Sequence, residues 1–204
     1  MSSTPILLEL DGSAQCRYAA EVCWSLAGTN GLIVNAQHVI DSLSAWDFLN
    51  FDIAGFIGSG PYFEAHEMMR SSLTRIGEEL IEAYTGQAAG HDIGGESFLD
   101  EGTTIREICW RAKDHELVVI GQRSTGMGSP EEDKRRLPRR SIAETLTYYC
   151  PRPLLVVQDR CESFKRFKIL LSTLRVPSAL MTSCLDFARK MQLEPQIKVV
   201  LQSE

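Results

Sequence analysis

The feature that most constrains the fold is an alternation of short apolar runs with segments of helical periodicity. The segments between the runs place apolar residues three and four positions apart, which is the spacing of one helix face. One run, 117–120, is β-branched and ends at Gly121, as is typical of a strand buried on both faces. The apolar runs of strand length cover residues 5–10, 32–39, 117–120 and 153–157.

This order of elements predicts an α/β fold, with an open five-stranded parallel sheet and helices on both faces. Residues 96–99 are the candidate for the remaining strand, and the glycine-rich residues 41–61 are predicted to form an irregular connection. The pattern then restarts as a C-terminal β-α-β appendage, which is too short to fold alone. The predicted organisation is a domain over 1–159, a linker over 160–166 and the appendage over 167–204.

Two of the predicted helices begin with the pattern of a capping box, a hydroxyl residue followed three positions later by glutamate. Thr104 and Glu107 form the first of these pairs, and Ser141 and Glu144 form the second. Each pair predicts that the side chain of the first residue caps the helix that follows.

Charge and cysteine spacing limit the class of protein. The formal net charge of −6 disfavours a general nucleic-acid binder, which usually carries a basic face. The six cysteines are scattered without a C-x-x-C pair, which indicates reduced thiols in a cytoplasmic protein. No N-terminal leader and no apolar run of about 20 residues is visible, so no membrane association is expected.

Five segments of residues 5–158 form a recognisable series: ILLELDGS from Ile6, QHVID from Gln37, ELVVIG from Glu116, SIAE from Ser141 and CPRPLLVV from Cys150. Taken in order, they resemble the motifs of the universal stress protein family, whose fold is also described as adenine nucleotide alpha hydrolase-like. Residues 167–201 resemble the opening of a second copy, as in the tandem members of that family.

The resemblance implies a site for an adenine nucleotide, either ATP or AMP, with or without Mg²⁺. In that family an aspartate after the first strand meets the nucleoside, so Asp11 is expected to hold the ribose and Val39 to pack near adenine. Gly121 is expected to open the phosphate loop, and Ser141 with the Ile142 amide to bind phosphate. The implied nucleotide-binding residues are Leu10, Asp11, Val39, Gly121, Ser124, Gly126, Arg140, Ser141 and Ile142.

The phosphate loop departs from the family pattern G-x2-G-x9-G-[ST]. Ser124 stands at its second glycine position, Arg140 at its third, and fifteen residues separate the two instead of nine. Five cations lie within 134–140, just before the helix that Ser141 caps. One hypothesis is that these side chains replace the lost glycine amides in holding phosphate, and the alternative is a solvated loop.

Simpler interpretations stay open for the other site residues. Asp11 is also suited to turn chemistry before Gly12, Ser141 to helix capping, and Val39 to a place in the core. No metal site is predicted, since no cluster of histidine, cysteine or carboxylate residues has ligand spacing.

Two functions therefore remain from the sequence. The first is a cytoplasmic, adenine-nucleotide-binding stress-response module that acts as a homodimer and is non-catalytic or a very slow ATPase. The alternative is a degenerate member that binds no nucleotide and serves as a protein-interaction or dimerisation module. A third and weaker interpretation assigns the basic loop to another phosphorylated metabolite. A homodimer is expected through the 153–157 strand or through the appendage, because exposed strand edges invite pairing.

Overall fold

A computed structural model describes residues 5–49, 60–122, 141–160, 166–171, 178–190 and 192–199. The chain divides into two compact units, Met1–Arg160 and Cys161–Glu204. Each unit is a separate parallel arrangement of strands and helices.

The first unit alternates strands and helices in chain order. Its strands are β1 (Ile6–Glu9), β2 (Val34–Ile40), β3 (Ser97–Glu101), β4 (Leu117–Gly121) and β5 (Leu154–Val157). Its helices are α1 (Ala14–Asn30), α2 (Ser42–Leu49), α3 (Gly60–Gly90), α4 (Thr104–Ala112) and α5 (Ile142–Tyr149).

The five strands form one sheet in the order β3-β2-β1-β4-β5. Every neighbouring pair is parallel, so the predicted five-stranded parallel sheet is confirmed. The central strand β1 pairs on both sides, with Ile6 opposite Val34 of β2 and Leu117 of β4. Because the chain moves outward from β1 to β3 and then returns to β4, the strand order reverses between β1 and β4.

Helices cover both faces of this sheet. On one face α1 and α3 lie side by side, and the rings of Trp24 and Tyr84 stack between them with centroids 6.0 Å apart. On the other face, residues of α4 and α5 such as Ile108 and Leu146 pack with Leu7 of β1 in one buried cluster. The sheet is therefore buried on both sides, which explains why β1 and β4 are almost wholly apolar.

The connection predicted over 41–61 is helical at both described ends, so that prediction was wrong there. The helix α2 begins at Ser42 because Asp41 caps it, with the Ser44 N–H donating to Asp41 Oδ1 at 3.0 Å. Trp46 of α2 stacks on Phe63 and meets His66 edge-on, so α2 and α3 are joined by aromatic contacts. Residues 50–59 lie outside the described residues.

The second unit is a β-α-β element. Its parts are β6 (Arg166–Leu171), α6 (Ser178–Lys190) and β7 (Glu194–Val199). The two strands are parallel, with Ile169 opposite Ile197. This is the arrangement predicted for the C-terminal appendage.

In the part of the chain that the structure describes, no helix is both long enough and apolar enough to cross a membrane. The five described cysteines are free thiols.

Candidate functional site

The strand ends at the reversal of strand order bring the first candidate residues together. Ligands of open parallel sheets bind in the crevice at such a point, outside the carboxyl ends of the strands. Here β1 ends at Glu9 and leads into residues 10–13, while its neighbour β4 ends at Gly121. Asp11, just after β1, and Gly121, the last residue of β4, therefore lie at the same edge of the sheet.

Asp11 shapes the turn between β1 and α1. Its Oδ1 accepts a hydrogen bond from the Ser13 N–H at 2.8 Å, and Gly12 between them has φ of 76°. Only glycine adopts that backbone angle without strain. Ser13 in turn caps α1, since its Oγ accepts from the Cys16 N–H at 3.0 Å. Among the described residues, no hydrogen-bond donor is found at Asp11 Oδ2.

Gly121 allows α1 to approach the end of β4. A Cβ atom at this position would lie 2.9 Å from the Cys16 amide nitrogen and 3.0 Å from two atoms of Gln15. Such contacts involve backbone, so a side chain here would force the first turn of α1 away from β4. Gly121 thus has a packing role that brings the Asp11 turn close to the end of β4, whatever ligand binds there.

Three apolar candidate residues line the two sides of the sheet below this edge. Val39 is 8% exposed and belongs to the buried cluster beneath α4 and α5, and Ile142 packs against the same cluster. Leu10 is 2% exposed and borders a groove of about 130 Å³ between α1 and α3. Val39 therefore has the core position that the simpler interpretation expected.

Ser141 caps α5, and the predicted capping box is complete. Ser141 Oγ accepts from the Glu144 N–H at 3.1 Å, and Glu144 Oε2 accepts from the Ser141 N–H at 3.0 Å. A helix has four N–H groups at its start without an intrahelical acceptor. Two of them are taken here, and the amides of Ile142 and Ala143 have no acceptor among the residues that the structure describes.

Several carboxylates lie at this edge of the sheet or just beneath it. Glu9 is buried at the end of β1, Asp11 follows it, and Glu144 lies at the start of α5. Burial, followed by the nearby Asp11 charge, raises the pKa of the Cys16 thiol to about 12. Cys16 is therefore protonated at neutral pH, although thiols at helix N-termini are usually acidified.

The phosphate-loop candidates Ser124, Gly126 and Arg140 lie outside the described residues, as do the other cations of 134–140. Within the described ranges, no group of three histidine, cysteine or carboxylate residues is close enough to hold a metal ion.

Sequence reasoning missed a polar layer on the α4 side of the sheet. Gln37 is fully buried in β2, and its Nε2 donates to Asp100 Oδ2 at 2.7 Å. Asp100 also receives two hydrogen bonds from Arg111 of α4, whose guanidinium lies 3.7 Å above the Phe98 ring. The signal was present as two amide residues in an otherwise apolar strand, VNAQHVI.

Sequence reasoning also missed the part that α3 plays near the site. Gly77 of α3 packs on the ring of His38, and Leu80 of the same helix lies 3.9 Å from where a Cβ of Gly12 would be. Nothing in the periodicity of α3 distinguished Gly77 from its other glycines.

The described geometry is suited to holding a ligand. It offers the Asp11 carboxylate and, at the start of α5, two amides that have no acceptor among the described residues, while Val39 and Ile142 belong to the buried cluster. Hydroxyl groups suit the first and anionic oxygens the second.

No protein-family model matches the sequence, and no curated protein matches it. Solved structures do match the fold. The hypothetical protein MJ0577 is 18% identical with a TM-score of 0.57, over 80% of this chain and 100% of that one. UspA from Lactobacillus plantarum is 16% identical with a TM-score of 0.57, over 78% and 99%. A universal stress protein family member from Burkholderia pseudomallei is 17% identical with a TM-score of 0.54, over 77% and 97%.

These likenesses establish that the chain has the universal stress protein fold. The resemblance noted in the sequence is thus confirmed for the fold. Function has to be argued from the site itself, because one fold can carry many functions.

Proposed function

We propose that the chain is a stress-response module that binds an adenine nucleotide at the carboxyl ends of β1 and β4. Asp11 Oδ2 accepts a hydrogen bond from a ribose hydroxyl, and the base packs beside Val39. The amides of Ile142 and Ala143 bind phosphate at the start of α5. Binding, with at most very slow ATP hydrolysis, is the activity proposed.

The observation that carries this proposal is that the two oxygens of the Asp11 carboxylate have different surroundings. One carboxylate oxygen holds the turn through the Ser13 N–H, and the other has no donor among the described residues. The sequence offers the turn and the ribose contact as alternative roles for Asp11, and one side chain can therefore serve both. A ligand hydroxyl donating to the second oxygen would make a charge-assisted hydrogen bond.

The second candidate function is a module for protein interaction or dimerisation that binds no nucleotide. The observation that favours it is the Glu144 carboxylate, which already occupies the Ser141 N–H at 3.0 Å. A phosphate at the same helix start would meet a like charge. The proposed binding mode therefore uses the Ile142 and Ala143 amides and leaves the capping box intact.

The test is calorimetric titration of the protein with ATP and AMP, in the presence and absence of Mg²⁺. Nucleotide carried through purification is first measured by denaturing the protein and separating the supernatant on a nucleotide-resolving column. Stoichiometric nucleotide, or saturable binding, supports the proposal. A protein that carries no nucleotide and shows no binding of millimolar ATP contradicts the proposal and supports the interaction module instead.

The Asp11→Asn variant tests the ribose contact. It keeps an oxygen for the Ser13 N–H and removes the charge, so we expect affinity to fall by about tenfold, since a hydrogen bond to a charged group contributes about 1.5–3 kcal/mol. Asp41→Asn is the matched control, because Asp41 follows β2 and caps α2 in a similar way. Equal nucleotide affinities of Asp11→Asn and wild type would show that Asp11 does not bind the ribose.

A further inference from the structure

His38 holds the residue that precedes Asp11. Its ring Nδ1 lies 2.6 Å from the carbonyl oxygen of Leu10. A carbonyl only accepts hydrogen bonds, so the proton must be on Nδ1. The half-buried ring is thereby fixed in one tautomer and one orientation.

The hydrogen bond acts at the point where strand pairing stops. The last paired residues of β1 and β2 are Glu9 and Gln37, and the Leu10 N–H still donates to the Gln37 carbonyl at 2.7 Å. The Leu10 carbonyl lies beyond this ladder and receives the imidazole instead. Both backbone groups of Leu10 are thus tied to β2, one by backbone and one by a side chain.

Gly77 of α3 provides the space in which the ring sits. A Cβ atom on Gly77 would lie 2.7 Å from His38 Cδ2 and 3.3 Å from its Nε2. It would also lie 2.7 Å from a methyl carbon of Leu99 on β3. Ordinary atoms do not approach so closely, so any side chain at Gly77 would push α3 off the sheet or the ring off Leu10.

We propose that His38, seated beneath Gly77, is a positioning residue for the nucleotide site. It fixes the Leu10 carbonyl and therefore the direction in which the chain leaves β1, which sets the place of the Asp11 carboxylate. The inference rests on the proposed function, which supplies the nucleotide as the ligand, but the positioning of the turn can be measured without nucleotide. It also makes α3 part of the site, because Gly77 contacts the His38 ring.

The first experiment compares two glycine-to-alanine changes in the same helix. A Cβ atom on Gly86 would meet no other atom within 4 Å, whereas one on Gly77 would meet the His38 ring. Both changes remove a mid-helix glycine and so carry the same gain in helix propensity. We expect Gly86→Ala to bind ATP as wild type does, and Gly77→Ala to bind about tenfold more weakly, which is the loss of about one hydrogen bond to the turn.

The second experiment changes the ring itself. His38→Asn keeps an N–H donor at the position of Nδ1, and His38→Leu keeps the bulk without a donor. We expect His38→Asn to retain most of the affinity and His38→Leu to lose it, with both variants folded by circular dichroism. Equal affinity of His38→Leu and wild type would overturn the proposal.

Two ligand-free measurements separate this inference from the proposed function. In ¹⁵N spectra of the wild-type imidazoles at alkaline pH, we expect the His38 proton on Nδ1. We also expect the Ser13 amide, which donates to Asp11 Oδ1, to exchange faster in Gly77→Ala than in Gly86→Ala. A proton on Nε2, or equal Ser13 exchange, overturns the positioning role. Absence of ATP binding by wild type with both expectations met would overturn only the proposed function.

Discussion

At the residue scale, Glu144 has two opposite effects on a helix start that is proposed to bind phosphate. Its carboxylate completes the capping box with Ser141, which stabilises α5. The same negative charge lies at the positive end of the helix dipole, where a phosphate would also be favoured. The charge therefore competes with the ligand, while the hydrogen bond to the Ser141 N–H does not.

Replacing Glu144 with glutamine separates these two effects. The amide oxygen still accepts from the Ser141 N–H, but the charge is gone, so we expect nucleotide affinity to rise by about two- to fivefold, the equivalent of about 0.3–1 kcal/mol. Calorimetric titration at low ionic strength measures the change. Glu107→Gln, in the first turn of α4, is the control for net charge. A Glu144→Gln affinity equal to that of the control would mean that phosphate does not bind at α5.

The N-cap residue of a helix could be predicted only where the sequence offers a single candidate. Ser141 and Glu144 form the predicted box, but Thr104 is the first residue inside α4 and not its cap. The cap is Thr103, whose side chain makes no capping hydrogen bond. Because two threonines are adjacent, either could serve as the N-cap, although only Thr104 has glutamate three positions later. Glu107 pairs with Arg106 instead.

At the scale of elements, β2 is joined to the loop after α4 by a buried histidine. The imidazole of His115, 3% exposed, lies with Nδ1 2.8 Å from the Arg111 carbonyl and Nε2 3.1 Å from Asn35 Nδ2. The carbonyl requires a proton on Nδ1, so Nε2 is the acceptor for the amide. Asn35 cannot reverse its amide without cost, because its oxygen accepts from the Glu96 N–H. The arrangement therefore requires neutral His115.

This arrangement predicts that stability falls in mild acid. Burial lowers the pKa of His115 below its ordinary value of 6.5, and the charges of Arg111 and Arg152 lower it further, while the Arg111 carbonyl and Asp114 oppose them. The unfolded chain thus binds the proton first, so the contribution of His115 to the free energy of unfolding is complete above pH 6.5 and is lost as the pH falls through the folded-state pKa.

Urea unfolding across this pH range measures the effect. We expect His115→Gln to be less stable than wild type above pH 6.5 and to show a flatter dependence on pH below it. His91→Gln is the control, since His91 stacks on Trp24 at the other side of the sheet. If His115→Gln and His91→Gln show the same slope as wild type, the buried histidine does not control acid stability.

Elements with strong apolar patterns could be predicted from the sequence, and those fixed by tertiary contacts could not. The strand β4 follows from its unbroken apolar run, since only a doubly covered strand suits it. The helix α2 was missed because the glycines of residues 55–60 suggested a loop throughout 41–61. Its real determinants are the cap at Asp41 and the packing of Trp46 on Phe63, a contact with another helix.

For the whole molecule, parallel topology follows from the order of elements, because a helix between two strands returns the chain to the same end of the sheet and so places the carboxyl ends of all the strands at one edge. The Asp11 and Gly121 strand ends could therefore be placed together from the sequence. The positioning of Asp11 by His38 and Gly77 could not, since it joins three elements distant in sequence. The assignment of 167–204 as a half-copy of a second domain stays a prediction.

The sheet of the first unit ends at β5, and this edge carries the prediction of a homodimer. The Val118 N–H donates to the Pro153 carbonyl, and the Gln122 N–H to the Val157 carbonyl. In a parallel ladder alternate residues bond to the same neighbour, so the N–H groups of Leu154 and Val156 point away from β4. These groups are the ones that a second copy would pair with.

Proline at Val156 tests this edge without disturbing the sheet. It removes an outward N–H but none of the bonds between β5 and β4, as tolerated on edge strands. We expect wild type to sediment as a dimer at micromolar concentration and Val156→Pro to sediment as a monomer. We also expect the two proteins to have similar melting temperatures when both are monomeric. Ile197→Lys, in the exposed part of β7, is the parallel variant for the second unit. A dimer that survives Val156→Pro but not Ile197→Lys would place the interface on the appendage, and a wild-type monomer would contradict dimerisation altogether.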